Sequence, residues 1–137
     1  MTHRDTVASW AALHGLSVLV VEDETIISLL VESMLMDLGC KDVWYASSVD
    51  EALHMLAQRT PDAAVLDVNL AGETAYPIAR QLAAAEVPFV FATGYGAGGI
   101  HQDWAGRPVL QKPFRCDMLA SALASALEAE GAAGINR

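Results

Sequence analysis

Short apolar runs alternate with longer segments of helical periodicity along this chain. The apolar runs, which are rich in Val, Leu, Phe and Ala, cover residues 17–21, 43–46, 63–66, 89–92 and 109–111. Continuous apolar runs of this length are typical of strands that are buried on both faces of a parallel sheet. The segments between and after them predict helices over residues 24–38, 48–59, 74–85 and 117–128.

Residues that start and stop helices lie near the ends of these segments. Gly39 follows the first helix, where many helices end in a left-handed residue. Ser48 and Glu51 have the spacing of a capping box, and Pro61 follows the second helix. These signals support the predicted boundaries.

Five strands alternating with helices predict an α/β fold, with a doubly wound parallel sheet and helices on both faces. The flavodoxin-like strand order 2-1-3-4-5 is the common solution for a chain of this size. We expect one domain over residues 16–129, an N-terminal extension over 1–15 and a C-terminal tail over 130–137. A length of 137 residues suits one domain of ordinary size.

The fourth helix is expected to be irregular. Five glycines follow the fourth strand: Gly94, Gly96, Gly98, Gly99 and Gly106. Each glycine costs about 1 kcal/mol relative to Ala in a helix interior. We therefore expect this helix to be short, displaced or mobile.

Composition and charge argue against a nucleic-acid-binding protein and against a membrane protein. The net charge is −9, from 17 acidic and 8 basic residues, and no cluster of Lys and Arg suggests a nucleic-acid interface. No apolar run approaches the roughly 20 residues of a membrane helix, and no export signal is evident, so we expect a cytoplasmic protein. The two cysteines, Cys40 and Cys116, are then expected to be reduced thiols.

Polar side chains follow four of the predicted strands. They are Glu22 and Asp23, then Asp67, then Thr93, and finally Lys112. Ligands of parallel sheets bind beyond the carboxyl ends of the strands. We therefore expect these side chains to converge on one pocket.

Together these groups favour phosphoryl chemistry. Three neighbouring carboxylates repel each other, and a hard cation such as Mg²⁺ relieves the repulsion. Lys112 suits a phosphate oxygen, and Thr93 can donate a hydrogen bond to another. A carboxylate can act as a nucleophile and form an aspartyl phosphate. Each residue alone also has an ordinary structural explanation, such as a helix cap, a turn or a solvated surface. It is the combination that points to phosphoryl transfer.

The same residues carry a family resemblance. The segments Val18–Glu24, Val65–Leu70, Ala92–Gly94 and Lys112–Phe114 make the chain from about residue 17 to 128 resemble the receiver domains of response regulators. The resemblance implies that Asp67 is the phosphoacceptor. It also implies an Mg²⁺ site, with Asp23 as a direct ligand, Glu22 acting largely through water, and Asn69 offering its backbone carbonyl.

The resemblance further implies a phosphoryl-binding and switch set. Thr93 and Lys112 would hold the phosphoryl oxygens, and the Lys112–Pro113 peptide bond is expected to be cis. Ordinary receivers often carry Tyr or Phe three residues before the lysine, where this chain has Val109. Tyr95 is the candidate for a substitute switch aromatic, with plain packing as the open alternative.

The residues Pro88–Tyr95, with the sequence PFVFATGY, resemble the signature of the FATGUY single-domain receivers. That group is associated with HWE- and HisKA2-type histidine kinases and with general stress signalling. Receivers generally dock their kinase through the first helix. Its predicted core face is Ile27, Leu30, Val31, Met34 and Leu38, and the opposite apolar residues Leu29 and Met36 are candidates for kinase docking.

The sequence thus predicts a non-enzymatic receiver that is phosphorylated on Asp67 by a histidine kinase. It would signal through protein–protein interaction or onward phosphotransfer, for example to a histidine phosphotransfer protein, without binding nucleic acid or membrane. The alternatives are a phosphorylation-independent interaction module and an aspartate-nucleophile phosphatase. Phosphatases of that class usually carry a second acid two residues after the nucleophile, where this chain has Asn69.

Overall fold

Five parallel strands form the central sheet of the chain, whose residues 11–94 and 99–135 are described by a computed structural model. The strands of this sheet are β1 (Ser17–Val21), β2 (Asp42–Ala46), β3 (Ala63–Asp67), β6 (Phe89–Thr93) and β7 (Val109–Gln111). Their spatial order is β2-β1-β3-β6-β7, which is the predicted flavodoxin-like order once the strands of this sheet are counted alone.

Helices cover both faces of the sheet. They are α1 (Thr25–Asp37), α2 (Val49–Leu56), α3 (Tyr76–Ala84) and α4 (Cys116–Ile135). Strand side chains alternate between two apolar clusters, as the two-residue period of a strand requires. Val18 and Val20 face the cluster that includes α1 and α4, whereas Leu19 and Val21 face the cluster that includes α2 and α3. The doubly wound α/β prediction is confirmed.

The strand register brings the carboxyl ends to one edge of the sheet. Val21 of β1 pairs with Leu66 of β3, and Thr93 of β6 pairs with Gln111 of β7. The residue after each of these strands therefore emerges at the same level.

A small hairpin that the sequence did not reveal follows β3. Its strands are β4 (Asn69–Leu70) and β5 (Glu73–Thr74), joined by Ala71 and Gly72 with φ values of 52° and 91°. Two consecutive positive φ angles are the mark of the tight turn that suits a two-residue hairpin. Because the hairpin uses residues up to 74, α3 begins two residues later than predicted.

The described residues 99–108 contain no α-helix; Gly99 and the short helix Gln102–Trp104 have 3₁₀ conformation. The prediction that the fourth helix is short or irregular is confirmed for this described part. Residues 95–98, which include Tyr95, lie outside the described residues.

Four of the five residues predicted for the core face of the first helix lie there. Val31 and Leu38 are buried, and Ile27 and Met34 pack against the same apolar cluster. The buried residues within the helix are Ser28, Val31 and Leu35. The middle of the buried face is therefore Val31, and the neighbouring Leu30 lies off this face. Leu30 is 55% exposed, so its assignment to the core was wrong, whereas Leu35 is fully buried and was not singled out. The helix is apolar nearly all round, so its periodicity does not select one face.

Both chain ends join the domain more closely than the sequence suggested. The helix α4 continues to Ile135, seven residues past its predicted end and through residues expected to form a tail. Arg107 pairs with Glu130 at 3.3 Å, which ties this extra length to the loop before β7. At the other end, residues 11–13 are helical and Leu13 is fully buried in the α1/α4 cluster.

Within the described residues, none of the helices combines the length and the apolar character that crossing a membrane requires.

Candidate functional site

An open cleft of about 640 Å³ lies at the carboxyl edge of the sheet. Asp23, Asp67, Thr93 and Lys112 line it, and the β4–β5 hairpin forms one wall. Glu22 does not line the cleft and is 5% exposed, but its carboxylate contacts Lys112 and lies within 4.8 Å of those of Asp23 and Asp67. The structure therefore brings together all five polar residues that the sequence placed after the strands.

The three carboxylates form a compact cluster. Glu22, Asp23 and Asp67 each offer an oxygen, and these oxygens all lie within 4.8 Å of one another. Glu22 and Asp67 are buried, whereas Asp23 is exposed. Ala71 of the hairpin donates its backbone N–H to Asp23 Oδ2 at 3.1 Å. The hairpin thus fixes the outermost carboxylate at the mouth of the cleft.

Lys112 neutralises part of this charge. Its Nζ lies 2.6 Å from Glu22 Oε2 and 3.1 Å from Asp67 Oδ2, and its side chain is 17% exposed. Burial lowers the pKa of Lys112, but the hydrogen bond to Glu22 and the charge of Asp67 outweigh it, so the pKa lies above its usual value. The ammonium therefore stays charged and bridges two buried carboxylates.

The negative charge of Glu22 remains unfavourable in spite of its contact with Lys112. Burial raises the pKa of its carboxyl from 4.5 to about 7, the hydrogen bond from Lys112 opposes the rise, and the negative charge of Asp67 adds to it. One cation among three carboxylates does not balance the site.

The donor set fits a hard divalent cation. Mg²⁺ takes oxygen ligands at about 2.1 Å in octahedral geometry and keeps several waters, so its protein ligands lie about 3 to 4 Å apart. The spacing of the three carboxylates is compatible with that requirement, and the exposed side of Asp23 leaves room for water. Asn69 also lines the cleft, and its side-chain Oδ1 accepts a hydrogen bond from Gly72 N–H at 3.2 Å within the hairpin turn.

Thr93 and Lys112 are held beside each other by the ends of β6 and β7. The backbone N–H of Lys112 donates to the carbonyl of Thr93 at 2.9 Å, and Thr93 is 4% exposed. The Lys112–Pro113 peptide bond is cis. A hydroxyl and an ammonium therefore reach the cleft from neighbouring strands, next to Asp67.

Besides the hairpin residues, the sequence did not indicate an aromatic residue of the cleft. Tyr76, the first residue of α3, lines it together with Asp67 and Thr93. Its position at the start of a helix on the carboxyl side of the sheet was a usable signal, but the unpredicted hairpin hid where α3 begins. Tyr95, the aromatic that the sequence proposed for this neighbourhood, is not among the described residues.

The predicted docking residues lie on the outer surface of α1. Leu29 and Met36 are 55% and 51% exposed, and Ile26 and Leu30 are exposed as well. A separate apolar groove of about 310 Å³ runs beside α1 and reaches Lys112, and its walls are Ile27, Leu30, Val31, Met34, Pro113 and Phe114. Leu29 and Met36 do not line this groove.

The family model described as "Response regulator receiver domain" matches residues 18–124. No curated protein sequence matches the chain. Among solved structures, that of SdrG from Sphingomonas melonis Fr1 is 42% identical, with a TM-score of 0.75, over 84% of this chain and 98% of SdrG.

Two structures of PhyR are similar at lower identity. The response regulator PhyR from Brucella abortus is 26% identical, with a TM-score of 0.79, and covers 96% of this chain. The match spans only 56% of that longer protein. The receiver (REC) domain of PhyR from Erythrobacter litoralis is also 26% identical, with a TM-score of 0.74, over 85% of this chain and 93% of the domain.

Proposed function

This chain belongs to the response regulator receiver domain family of two-component signalling, and we propose that it is a phosphorylation-switched receiver with Asp67 as the phosphoacceptor. One observation carries the proposal. Asp67 ends the central strand β3 inside the cleft, where it lies between two further carboxylates and within 3.1 Å of the Lys112 ammonium. This arrangement supplies a nucleophile, a cation site and donors for phosphoryl oxygens.

The proposed step is phosphoryl transfer from a histidine of a kinase. A carboxylate oxygen of Asp67 bonds to phosphorus while the bond from phosphorus to the histidine nitrogen breaks, and the nitrogen keeps the electron pair. Lys112, which bridges Glu22 and Asp67 before transfer, turns its Nζ towards a phosphoryl oxygen, and Thr93 donates a hydrogen bond to another.

The carboxylates of Glu22, Asp23 and Asp67 would hold Mg²⁺, with the Asn69 carbonyl as a further ligand. When bound there, Mg²⁺ offsets the negative charge that gathers on the transferred group. The protein's own contribution is to keep three carboxylates together in spite of their repulsion, through burial and the Lys112 contact.

For the partners, we propose a histidine kinase of the HWE or HisKA2 type. The PFVFATGY segment supports this choice, as does similarity to PhyR, one structure of which is described as a stress response regulator. Output would then pass by protein–protein interaction or by onward transfer to a histidine phosphotransfer protein. A kinase assay tests the core of the proposal: label should move from an autophosphorylated HWE-type kinase to the wild type but not to Asp67→Asn.

The exposed apolar surface of α1 is the proposed kinase-docking site. Changing Leu29 and Met36 together to Ser should slow transfer from the kinase and leave labelling by acetyl phosphate intact. The groove offers a sharper comparison, because Leu30 lines it and the neighbouring Leu29 does not, although both are 55% exposed. If the kinase contacts the groove, Leu30→Ser slows transfer more than Leu29→Ser. Equal loss with kinase and acetyl phosphate would refute docking through α1.

A further inference from the structure

Tyr76 connects the phosphoacceptor cleft to the segment of residues 99–107, which precedes β7. The side chain lines the cleft together with Asp67 and Thr93. Its hydroxyl oxygen accepts a hydrogen bond from the backbone N–H of His101 at 2.8 Å. A single side chain therefore borders the cleft that contains Asp67 and also bonds to the segment that precedes β7.

Aromatic contacts strengthen this connection. The Tyr76 ring stacks on Trp104 with a centroid distance of 6.3 Å and meets Phe91 of β6 edge-on at 6.1 Å. Trp104 in turn packs edge-on against Phe89 and Phe91. The 3₁₀ helix Gln102–Trp104 is thus fastened to β6 and α3 through one aromatic cluster, with Tyr76 at the end nearest the cleft.

The position that carries the switch aromatic in ordinary receivers has no such contacts here. Val109 begins β7 and pairs with Phe91, and its side chain has neither a ring nor a hydroxyl. Gly99, the first residue of the segment, borders the cleft directly, so the question is how a signal reaches its later residues. Among the described residues, Tyr76 lines the cleft and also hydrogen-bonds to this segment.

We propose that Tyr76 is a positioning residue that holds residues 99–107 in their unphosphorylated arrangement, and that phosphorylation of Asp67 loosens this contact. The proposal rests on the proposed function, since it requires Asp67 to be the acceptor. A phosphoryl group on Asp67 must occupy part of the cleft that the Tyr76 ring borders. Any resulting shift of the ring acts directly on His101 and Trp104.

The test compares two matched substitutions. Tyr76→Phe keeps the ring but removes the oxygen that accepts from His101. Tyr45→Phe is the control, because Tyr45 also carries a hydroxyl but that hydroxyl has no hydrogen-bond partner. Wild type and both variants are titrated with beryllium fluoride and Mg²⁺, which together form a stable mimic of an aspartyl phosphate, and are followed by ¹⁵N–¹H NMR.

We expect two linked results for Tyr76→Phe. The reporters are the backbone amides of Ala105 and Arg107, which bond to the carbonyls of Gln102 and Trp104 and not to Tyr76. In the variant without ligand, their NMR signals should shift from the wild-type positions towards the positions that they have in the beryllofluoride-bound wild type. The beryllium fluoride concentration at the midpoint of the titration should fall about two- to tenfold, because binding no longer has to break one net hydrogen bond. Tyr45→Phe should leave both unchanged.

If Tyr76 has only a structural role, the NMR signals of these amides should broaden or shift in other directions than towards the bound positions. That result would overturn the proposal. So would an unchanged midpoint, or equal changes in both variants. Intact mass after acetyl phosphate treatment separates the two proposals. A phosphorylated wild type with an unaltered Tyr76→Phe response refutes only the role of Tyr76. A wild type that gains no phosphoryl group from acetyl phosphate or a kinase refutes the proposed function, and the role of Tyr76 with it.

Discussion

Replacing Lys112 with Met should strongly destabilise the metal-free protein. The ammonium contacts Glu22 at 2.6 Å and Asp67 at 3.1 Å, and both carboxylates are buried. Removing one partner of a buried ion pair leaves charge without compensation and costs about 3 to 5 kcal/mol. Since the Lys112 side chain keeps 17% of its exposure, we expect a loss at the lower end, about 3 kcal/mol.

Urea unfolding at pH 8 in the presence of EDTA measures this loss. Arg115→Met is the matched control, because Arg115 also pairs with a carboxylate, at 3.1 Å from Asp117, but is 75% exposed. An exposed pair of this kind contributes little to stability because solvent screens it. Equal losses of stability from Lys112→Met and Arg115→Met would contradict a stabilising role for the buried contacts of Lys112.

Two further conditions identify the cause of the loss. Adding Glu22→Gln to Lys112→Met should recover part of the stability, because one of the two uncompensated charges is gone. Saturating Mg²⁺ should also stabilise the single variant, by about 2.7 kcal/mol at one hundred times the dissociation constant. The Glu22→Gln result decides the cause, because Mg²⁺ stabilises any variant that binds it. If Glu22→Gln recovers nothing, the loss comes from packing of the lysine stem and not from charge.

Three other measurements address separate features. Burial raises the pKa of Glu22 to about 7, so in the metal-free protein this group contributes a stability that is complete below pH 4.5 and is lost as the pH rises through 7. Unfolding curves of Glu22→Gln across this range should lack that decline in stability. Tyr45→Phe removes a buried hydroxyl without a partner, so thermal unfolding should show a gain of about 1 kcal/mol, and a loss would reveal a missed hydrogen bond. Leu13→Ala should cost about 2 to 5 kcal/mol in urea unfolding if residues before 16 belong to the core, whereas an independent extension would tolerate it.

The sequence predicted what depends on strong local patterns. Runs such as Val18–Val21 are buried on both faces, so their composition alone indicates central parallel strands. The polar residues after the strands could be placed in one site because parallel strands end at the same edge of a sheet. Ser48 caps α2 as predicted, with its Oγ accepting from Glu51 N–H at 3.1 Å.

The remaining features depend on three-dimensional context. The core face of α1 was predicted with one residue wrong, Leu30, because Leu29, Leu30, Leu35 and Met36 offer apolar residues on every side. The β4–β5 hairpin needs Ala71 at positive φ, which its side chain does not favour and no sequence rule would suggest.

The site itself was incomplete for the same reason. The contact of Lys112 with Glu22 joins residues 90 positions apart, so the sequence could assign the lysine to a phosphate but not to a carboxylate. Tyr76 lines the cleft because it is the first residue of α3. The sequence did not reveal this, because the unpredicted hairpin moves the start of α3 to residue 76.

The central claim is that Asp67 accepts a phosphoryl group. Its most direct test is the intact mass of the protein after incubation with Mg²⁺ and acetyl phosphate, beside Asp67→Asn. We expect the wild type to gain the mass of one phosphoryl group and the variant to gain none. A gain that persists in Asp67→Asn would contradict the assignment of the acceptor, and no gain in the wild type, repeated with an HWE-type kinase as donor, would contradict the claim that this receiver is switched by phosphorylation.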